Sequence, residues 1–196
     1  MRLLEILPNS DFRLTKNLLD NAIPPYAILS HKWEIDEQEE AAFEDMDKGL
    51  SQGKAGYGKI KFCRGQAAKD GLRCFWVDSC CIKRSDSSEL TESLNSMFRW
   101  YKRAEKCYVY LSDVSKRHRE RGDEKLQESW EIAFQKSEWF TRGWTLQELL
   151  APMEVKFFSK EGELLGDKQS LEQQIHEVTE NSYSCTSRVC LIFNQY

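Results

Sequence analysis

The sequence contains no apolar run that approaches the roughly 18 residues of a membrane helix. Its first residues, MRLLEILPNSDF, also lack the long apolar core of a secretory signal peptide. There is no excess of basic residues, since 28 Lys and Arg stand against 32 Asp and Glu, a formal net charge of −4. These absences argue against a membrane protein and against binding to nucleic acid or anionic lipid. We therefore expect a cytoplasmic protein.

Metal-binding patterns are missing as well. The seven cysteines include no CxxC pair, and the three histidines do not cluster with them. An odd number of cysteines without a signal peptide indicates reduced thiols. Four of them stand in or beside apolar stretches, where cysteine acts as a small hydrophobic residue: Cys74, Cys80, Cys81 and Cys107. We expect no metal site.

Common nucleotide and hydrolase motifs are absent or incomplete. The segment GKAGYGKI (53–60) nearly matches the phosphate loop GxxxxGK[ST], but Ile60 stands where the magnesium-binding hydroxyl belongs, and no strand precedes it. No GxGxxG follows a predicted strand, no GxSxG is present, and HEVTE (176–180) lacks the second histidine of HExxH. The sequence thus disfavours a phosphate-loop enzyme, a dinucleotide fold with that fingerprint, and a zinc protease.

What remains is a chain of 196 residues, 40% hydrophobic and 12% aromatic, which is enough for one domain with a real core. Apolar runs predict strands within 1–7, 26–30, 74–82, 107–114 and 154–159. Helical spacing or helix-end signals predict helices at 57–71 and 87–107, before Pro152, and after a turn within 160–180. Loops are expected at 8–25, 34–49 and 115–127. Strands alternating with helices predict an α/β fold whose central parallel sheet is flanked by helices.

Ligands of such sheets bind at the carboxyl ends of the strands. Ser30, His31 and Trp33 follow one predicted strand, where they either line a pocket or form a capped turn with Trp33 buried in the core. Asp78 lies near the end of the next strand, and aspartate there favours a cap or a structural hydrogen bond over ligand binding. Glu89 lies in the first turn of a helix, a position that the helix dipole favours for acidic residues.

The segment SEWFTRGWTLQELLAP (137–152) sets two charges among aromatic and aliphatic residues. Glu148 lies one helical turn after Trp144. Buried ion pairs add little net stability, and a carboxylate among aromatic rings often marks a functional site. Two interpretations stay open: Arg142 and Glu148 neutralise each other in a core, or Glu148 faces a pocket. In the second, three leucines of the helix pack inward: Leu146, Leu149 and Leu150.

Four blocks carry a family resemblance: YAILSHKW, FWVDSCCI, ELTESLNSMFRWYKRAEKCYVYLSDV and SEWFTRGWTLQELLAP. In this order they resemble the fungal heterokaryon incompatibility (HET) domain. The resemblance covers about residues 1–180, with core motifs in 26–152, and leaves 181–196 as a tail of uncertain role. It implies a cytosolic cell-death module that is triggered when genetically different fungal cells fuse. The partners implied are a homo-oligomer on activation and a nucleotide-binding receptor or allelic partner protein.

HET domains are in turn distantly similar to TIR domains, which have a flavodoxin-like parallel sheet. In TIR enzymes a motif like S-x-W-C-x-x-E-L carries the catalytic glutamate. Here Ser137, Trp139, Glu148 and Leu149 supply the same elements with a longer gap between tryptophan and glutamate. The resemblance implies an NAD glycohydrolase that cleaves the nicotinamide–ribose bond, with Glu148 as the catalytic carboxylate. NAD or a related dinucleotide would be the substrate, and no cofactor is expected.

The residues expected to bind that substrate are Ser30, His31, Trp33, Asp78, Glu89, Arg142 and Trp144. The alternative is a non-enzymatic signalling module that acts by self-assembly and protein–protein interaction. In that alternative Arg142 and Glu148 have a purely structural role.

Overall fold

A seven-stranded sheet forms the centre of the computed structural model, which describes residues 1–9, 11–48, 51–116 and 129–183. The strands are β1 (Leu4–Ile6), β2 (Phe12–Leu14), β3 (Tyr26–His31), β4 (Cys74–Trp76), β5 (Lys106–Tyr110), β6 (Val155–Phe158) and β7 (Leu164–Asp167). Most of the predicted charged loop at 115–127, and most of the tail at 181–196, lie outside the described residues.

Seven α-helices connect or cover these strands within the described part of the chain. They are α1 (Phe43–Lys48), α2 (Tyr57–Lys69), α3 (Asp78–Cys81), α4 (Ser87–Arg103), α5 (Trp130–Gln135), α6 (Thr145–Leu150) and α7 (Glu172–Tyr183). Helix α2 contacts β3 and β4, whereas α4 contacts α6. The segment before α2 is a short 3-10 turn rather than a strand, so the phosphate-loop context is absent there.

The order of strands across the sheet is β2-β1-β4-β3-β5-β6-β7. The pairs β4–β3, β3–β5 and β5–β6 are parallel. Numbered by their order in the chain, these four strands therefore lie side by side in the order 2-1-3-4, which is the doubly wound order of flavodoxin-like sheets. The predicted α/β class with a central parallel sheet is confirmed. The order reverses between β3 and β5, so a ligand site is expected where these two strands end.

Both edges of the sheet differ from the prediction. Strand β2 pairs antiparallel with β1, although a loop was expected at 8–25. Strand β7 pairs antiparallel with β6, although a turn and a helix were expected at 160–180. Strands of three or four residues contain too little alternation to be distinguished from loops by sequence. They form because the neighbouring strand offers them backbone hydrogen bonds.

The predicted strand at 74–82 is also wrong in its second half. Strand β4 ends at Trp76, and Asp78 begins α3. The Asp78 Oδ1 atom accepts from the Ser79 N–H at 2.8 Å, and the Cys81 N–H donates to the Val77 carbonyl at 2.9 Å. A continuous apolar run does not distinguish a buried strand from a buried helical turn, which explains the error.

Strand β3 is buried on both faces. The Tyr26 hydroxyl donates to the Trp100 carbonyl of α4 at 2.6 Å. Ser30 lies four residues further along the strand and contacts Glu148 of α6. His31 instead points to the side of α2. This alternation follows from the two-residue period of a strand. Tyr26, Ser30 and His31 are thus the residues of this strand whose polar groups need partners inside the protein.

All five cysteines among the described residues are free and buried. They include the four that were predicted to act as hydrophobic residues. Burial raises the pKa of the Cys63, Cys80 and Cys107 thiols, which keeps these thiols protonated. Across the described residues, none of the helices combines the length and apolar character that crossing a bilayer requires.

Candidate functional site

The Glu148 carboxylate lies in the protein interior, with the residue only 2% exposed. The Ser30 hydroxyl donates to Glu148 Oε2 at 2.5 Å. The Arg142 guanidinium contacts both oxygens, with Nη1–Oε2 at 2.9 Å and Nη2–Oε1 at 3.3 Å. Three predicted residues from two separate segments thus meet at the carboxyl end of β3, next to the point where strand order reverses.

Trp139 completes this group. Its indole Nε1 donates to the Ser30 Oγ atom at 2.8 Å, so the Ser30 hydroxyl accepts one hydrogen bond and donates another to Glu148. The indole is 1% exposed and packs edge-on against Phe157 of β6. The Thr145 hydroxyl donates to the Trp139 carbonyl at 2.6 Å and ties the start of α6 to this turn. The relay from Trp139 through Ser30 fixes the orientation of the carboxylate.

Asp113 positions the turn that carries Trp139. Asp113 follows β5 and accepts hydrogen bonds from the Ser137 hydroxyl and the Glu138 N–H, both at 2.8 Å. The Ser137 Oγ atom in turn accepts from the Trp139 N–H at 3.3 Å. Asp113 therefore has a structural part in holding the site.

Arg142 lies between two carboxylates. Burial lowers the pKa of its guanidinium, but Glu148 and Asp78 more than offset this, so that the pKa of Arg142 rises. The first interpretation of the sequence, that these two charges neutralise each other, thus holds, and a pocket at Glu148 stays a prediction. Arg142 and Glu148 neutralise each other, and they do so at the end of the sheet where ligands bind.

His31 belongs to a second group on the other face of β3. Its Nε2 atom lies 3.4 Å from Glu40 Oε1, and its Nδ1 atom lies 3.8 Å from Asp78 Oδ1. Glu40 Oε2 accepts from the Glu34 N–H at 2.8 Å and lies 3.4 Å from Lys59 Nζ. Burial raises the pKa of Glu40, but the hydrogen bond and charge of His31, together with these contacts, lower it to about 2.

Asp78 connects the two groups, because it lies beside His31 and its charge acts on Arg142. The Trp33 indole Nε1 donates to Asp78 Oδ2 at 2.9 Å. Asp78 thus makes structural hydrogen bonds, the role that its turn position favours. Trp33 is only partly buried and does not fill the core. The Arg84 guanidinium stacks on the Trp33 ring, with its central carbon 3.4 Å from the ring centroid.

The side chains of two further residues that were predicted to bind substrate, Glu89 and Trp144, lie apart from Glu148. Glu89 forms an ion pair with Arg2 and accepts from the Lys83 N–H at 3.0 Å, at the start of α4. Trp144 precedes α6 and is 46% exposed, so helical spacing does not bring its ring beside Glu148. The expectation that Leu150 packs inward is also wrong, because Leu150 is 40% exposed. The short helix buries only a narrow stripe: Thr145, Glu148 and Leu149.

Sequence inspection missed Glu40, Lys59 and Arg84. Glu40 stands in the acidic segment 34–49, which was expected to be solvated, but only 7% of it is exposed. Its partners are nine and nineteen residues away, a spacing that no local pattern marks. The pairing of Arg84 with Trp33 likewise arises only from the fold. Trp139 was part of the TIR-like motif, but its contact with Ser30 was not foreseen.

The four blocks that suggested a family can now be compared with known proteins. The model of the family described as "Heterokaryon incompatibility protein (HET)" matches residues 26–131. Vegetative incompatibility protein HET-E-1 of Podospora anserina is 56% identical over 179 residues. That match covers 91% of this chain but only 13% of the relative. No solved structure matches. Because the family model covers more than half of the chain and the relative nearly all of it, the chain belongs to the heterokaryon incompatibility (HET) family.

Proposed function

We propose that this chain is a cell-death effector domain of heterokaryon incompatibility and that it acts as an NAD glycohydrolase. The incompatibility role is proposed from the family and from the name of the Podospora relative. The observation that carries the enzymatic proposal is the position of Glu148. Its carboxylate lies at the carboxyl end of β3, beside the reversal of strand order, where α/β proteins bind their ligands.

The reaction needs only one carboxylate. The bond between ribose C1′ and the pyridinium nitrogen breaks, and its electron pair moves onto the nitrogen, so nicotinamide leaves as a neutral molecule. Water adds to C1′ and releases a proton, which gives ADP-ribose. Most glycosidases need a second carboxyl group to protonate the leaving oxygen. Here Glu148 would hold the ribose hydroxyls and stabilise the oxocarbenium-like transition state electrostatically.

Arg142 would control access to Glu148. The Glu148 side chain is 3% exposed, whereas the Arg142 side chain is 19% exposed and lies toward solvent. Its longer contact, at 3.3 Å, is with Oε1, the oxygen that Ser30 does not bind. Substrate reaches Glu148 when Arg142 leaves Oε1 and turns to a phosphate of the dinucleotide. Assembly into a homo-oligomer, through a nucleotide-binding receptor or an allelic partner, would favour that rearrangement.

Product analysis tests the proposal. Concentrated wild type, Glu148→Gln and Glu154→Gln would be incubated with NAD under crowding, and free nicotinamide would be followed by proton NMR. Glu154 is the matched control, because it lies six residues further on and pairs with Lys106 and Lys156. We expect release by wild type and Glu154→Gln, and a loss of about 100-fold or more in Glu148→Gln. No release by any folded variant at any concentration, with all three still lethal in fungal cells, would refute the enzyme.

A second candidate function is signalling by self-assembly without chemistry. It draws on apolar side chains that are exposed in α6 and directly before and after it: Trp144 at 46%, Leu150 at 40% and Met153 at 93%. Clustered apolar exposure marks surfaces for protein–protein contact. In this case Glu148→Gln would keep the lethal activity, whereas Met153→Asp and Trp144→Asp would abolish it. The same set of variants, scored for both nicotinamide release and cell death, separates the two candidates.

A further inference from the structure

A cleft of about 160 Å³ opens beside Trp33, where β3 and β4 end. An engineered protein cavity of about 150 Å³ binds one benzene ring, so the cleft has room for one six-membered ring. The side chains that line it combine an indole, carboxylates, a guanidinium, a hydroxyl and an aliphatic group. They include Trp33, Glu37, Glu44, Ser79, Ile82 and Arg84.

Arg84 already presents a flat cation to the indole. Its guanidinium carbon lies 3.4 Å from the centroid of the Trp33 ring, the geometry of a cation–π contact. Within the described part of the chain, this guanidinium forms no hydrogen bond and no ion pair. Arg84 also remains solvent-exposed. A cation held by one ring face and by no direct bond is readily exchanged for another.

The surroundings of this cation are acidic. Carboxylates of Asp78, Glu40, Glu37 and Glu44 surround Arg84, although partial burial still lowers the pKa of its guanidinium. Lys59 compensates for only part of the acidic charge around the cleft, through its ion pairs with Glu34 and Glu40. The cleft therefore attracts a positively charged group and repels a free phosphate or carboxylate.

A buried hydroxyl in the wall lacks a partner. The Ser79 Oγ atom is inaccessible to solvent and has no hydrogen-bond partner among the residues that the structure describes. Ser79 is 3% exposed and lines the cleft. Leaving a buried polar group unpaired costs free energy, so a small shift of the wall that brings the Ser79 hydroxyl to an amide or carbonyl of the ligand would recover it.

We infer that this cleft binds a planar, single-ring cation of the pyridinium class with a polar substituent, and that Arg84 is the resident group that this ligand displaces. The inference rests on the proposed function and deepens it, because the nicotinamide ring of NAD is such a cation. Asp78 joins the cleft to the catalytic group, since it binds Trp33 and acts electrostatically on Arg142. For the proposed reaction, a ring held on Trp33 would have its ribose on the side of Asp78 that faces Arg142.

This arrangement also accounts for product release. The ring is positively charged while it is bonded to ribose, and it becomes neutral when the bond breaks. The attraction to the Trp33 face and to the carboxylates weakens at that moment. Arg84, still attached to the chain, then returns to the indole and displaces the neutral product.

Two probes of similar shape, one charged and one neutral, test the inference. 1-Methylnicotinamide is a permanent cation, whereas nicotinamide is neutral, and the binding of each can be titrated by NMR. We expect wild type to bind the cation at least about 10-fold more tightly than the neutral ring. Arg84→Ala should tighten cation binding about 3- to 10-fold, because the competing group is gone. The neighbouring Lys83→Ala is the control and should leave both affinities unchanged.

Trp33→Leu should reduce cation binding to the level of the neutral ring, provided that circular dichroism shows a folded chain. If Trp33→Leu does not fold, the cation affinity of Arg84→Ala alone tests the inference. Equal binding of the two probes by wild type, or weaker cation binding by Arg84→Ala, would overturn the inference. Since the titration needs no turnover, selective binding without nicotinamide release from NAD would refute the hydrolase alone. Nicotinamide release without selective binding of the cation would refute only the proposed role of the cleft.

Discussion

Ser30 and His31 are neighbours in β3, yet their side chains enter different networks on opposite faces of the sheet. The Ser30 hydroxyl donates to Glu148 at 2.5 Å on the side of α6. The His31 ring lies 3.4 Å from Glu40 on the side of α2. Each network contains a buried glutamate and a basic residue, Arg142 in one and Lys59 in the other. Substitutions can therefore test the two networks separately.

Ser30→Ala is expected to destabilise the fold by about 1–3 kcal/mol, because it leaves both the Trp139 indole N–H and a Glu148 oxygen short of a partner. Urea denaturation of both proteins measures the difference. Ser85→Ala is the matched control, since its hydroxyl also donates to a glutamate, Glu44, but in an exposed position. That control should stay within about 0.5 kcal/mol of wild type. A loss for Ser30→Ala as small as for Ser85→Ala would contradict the relay.

Removing one partner of the Arg142–Glu148 pair should destabilise the fold by about 3 kcal/mol, since an unpaired charge stays buried. Replacing both, as Arg142→Met with Glu148→Leu, should recover most of that loss, because a buried pair adds little over apolar packing. A double-mutant cycle in urea measures the coupling. Losses that simply add would show that the two side chains act independently. The recovered double variant would also be inactive if the proposed reaction is correct, which separates stability from catalysis.

Glu40 predicts a specific dependence of stability on pH. Its pKa falls from 4.5 to about 2 in the folded protein, through His31 and Lys59. A lowered folded pKa stabilises the fold above the unfolded value, and this stabilisation is lost as pH falls from about 4.5 to about 2. Glu40→Gln should therefore cost about 3 kcal/mol at pH 6 and about half of that at pH 3. Urea denaturation at both pH values measures this, and equal losses would exclude the shift.

The central sheet was predictable because its parallel strands are continuous apolar runs. YAILS and CYVYLSDV show this, as strands buried on both faces contain little else. The position of Ser30 at a strand end, and the closeness of Arg142 to Glu148 in sequence, also pointed to their meeting. The edge strands β2 and β7 were not predictable, since three or four residues carry no distinct period. Their formation depends on a neighbouring strand that the local sequence does not reveal.

The second network was hidden for a related reason. Glu40 stands in a run of acidic residues that resembles a solvated loop, and only the fold brings His31 and Lys59 to it. Likewise Arg84 reaches Trp33 from 51 positions away. Contacts of this kind are set by the crossover from β3 to β4, because parallel strands require a long connection that returns to the same edge. The local sequence around one residue does not indicate which distant residues such a connection brings to it.

The alternation in β3 makes this strand intolerant of insertion. One extra residue before Ser30 would rotate every following side chain to the opposite face. The serine hydroxyl would then face the side of Glu40 and Lys59, and the inserted residue would take the place beside Glu148 and Trp139. Both buried glutamates would lose at once the partners that β3 gives them. The spacing of this strand is therefore as much a part of the site as the residues themselves.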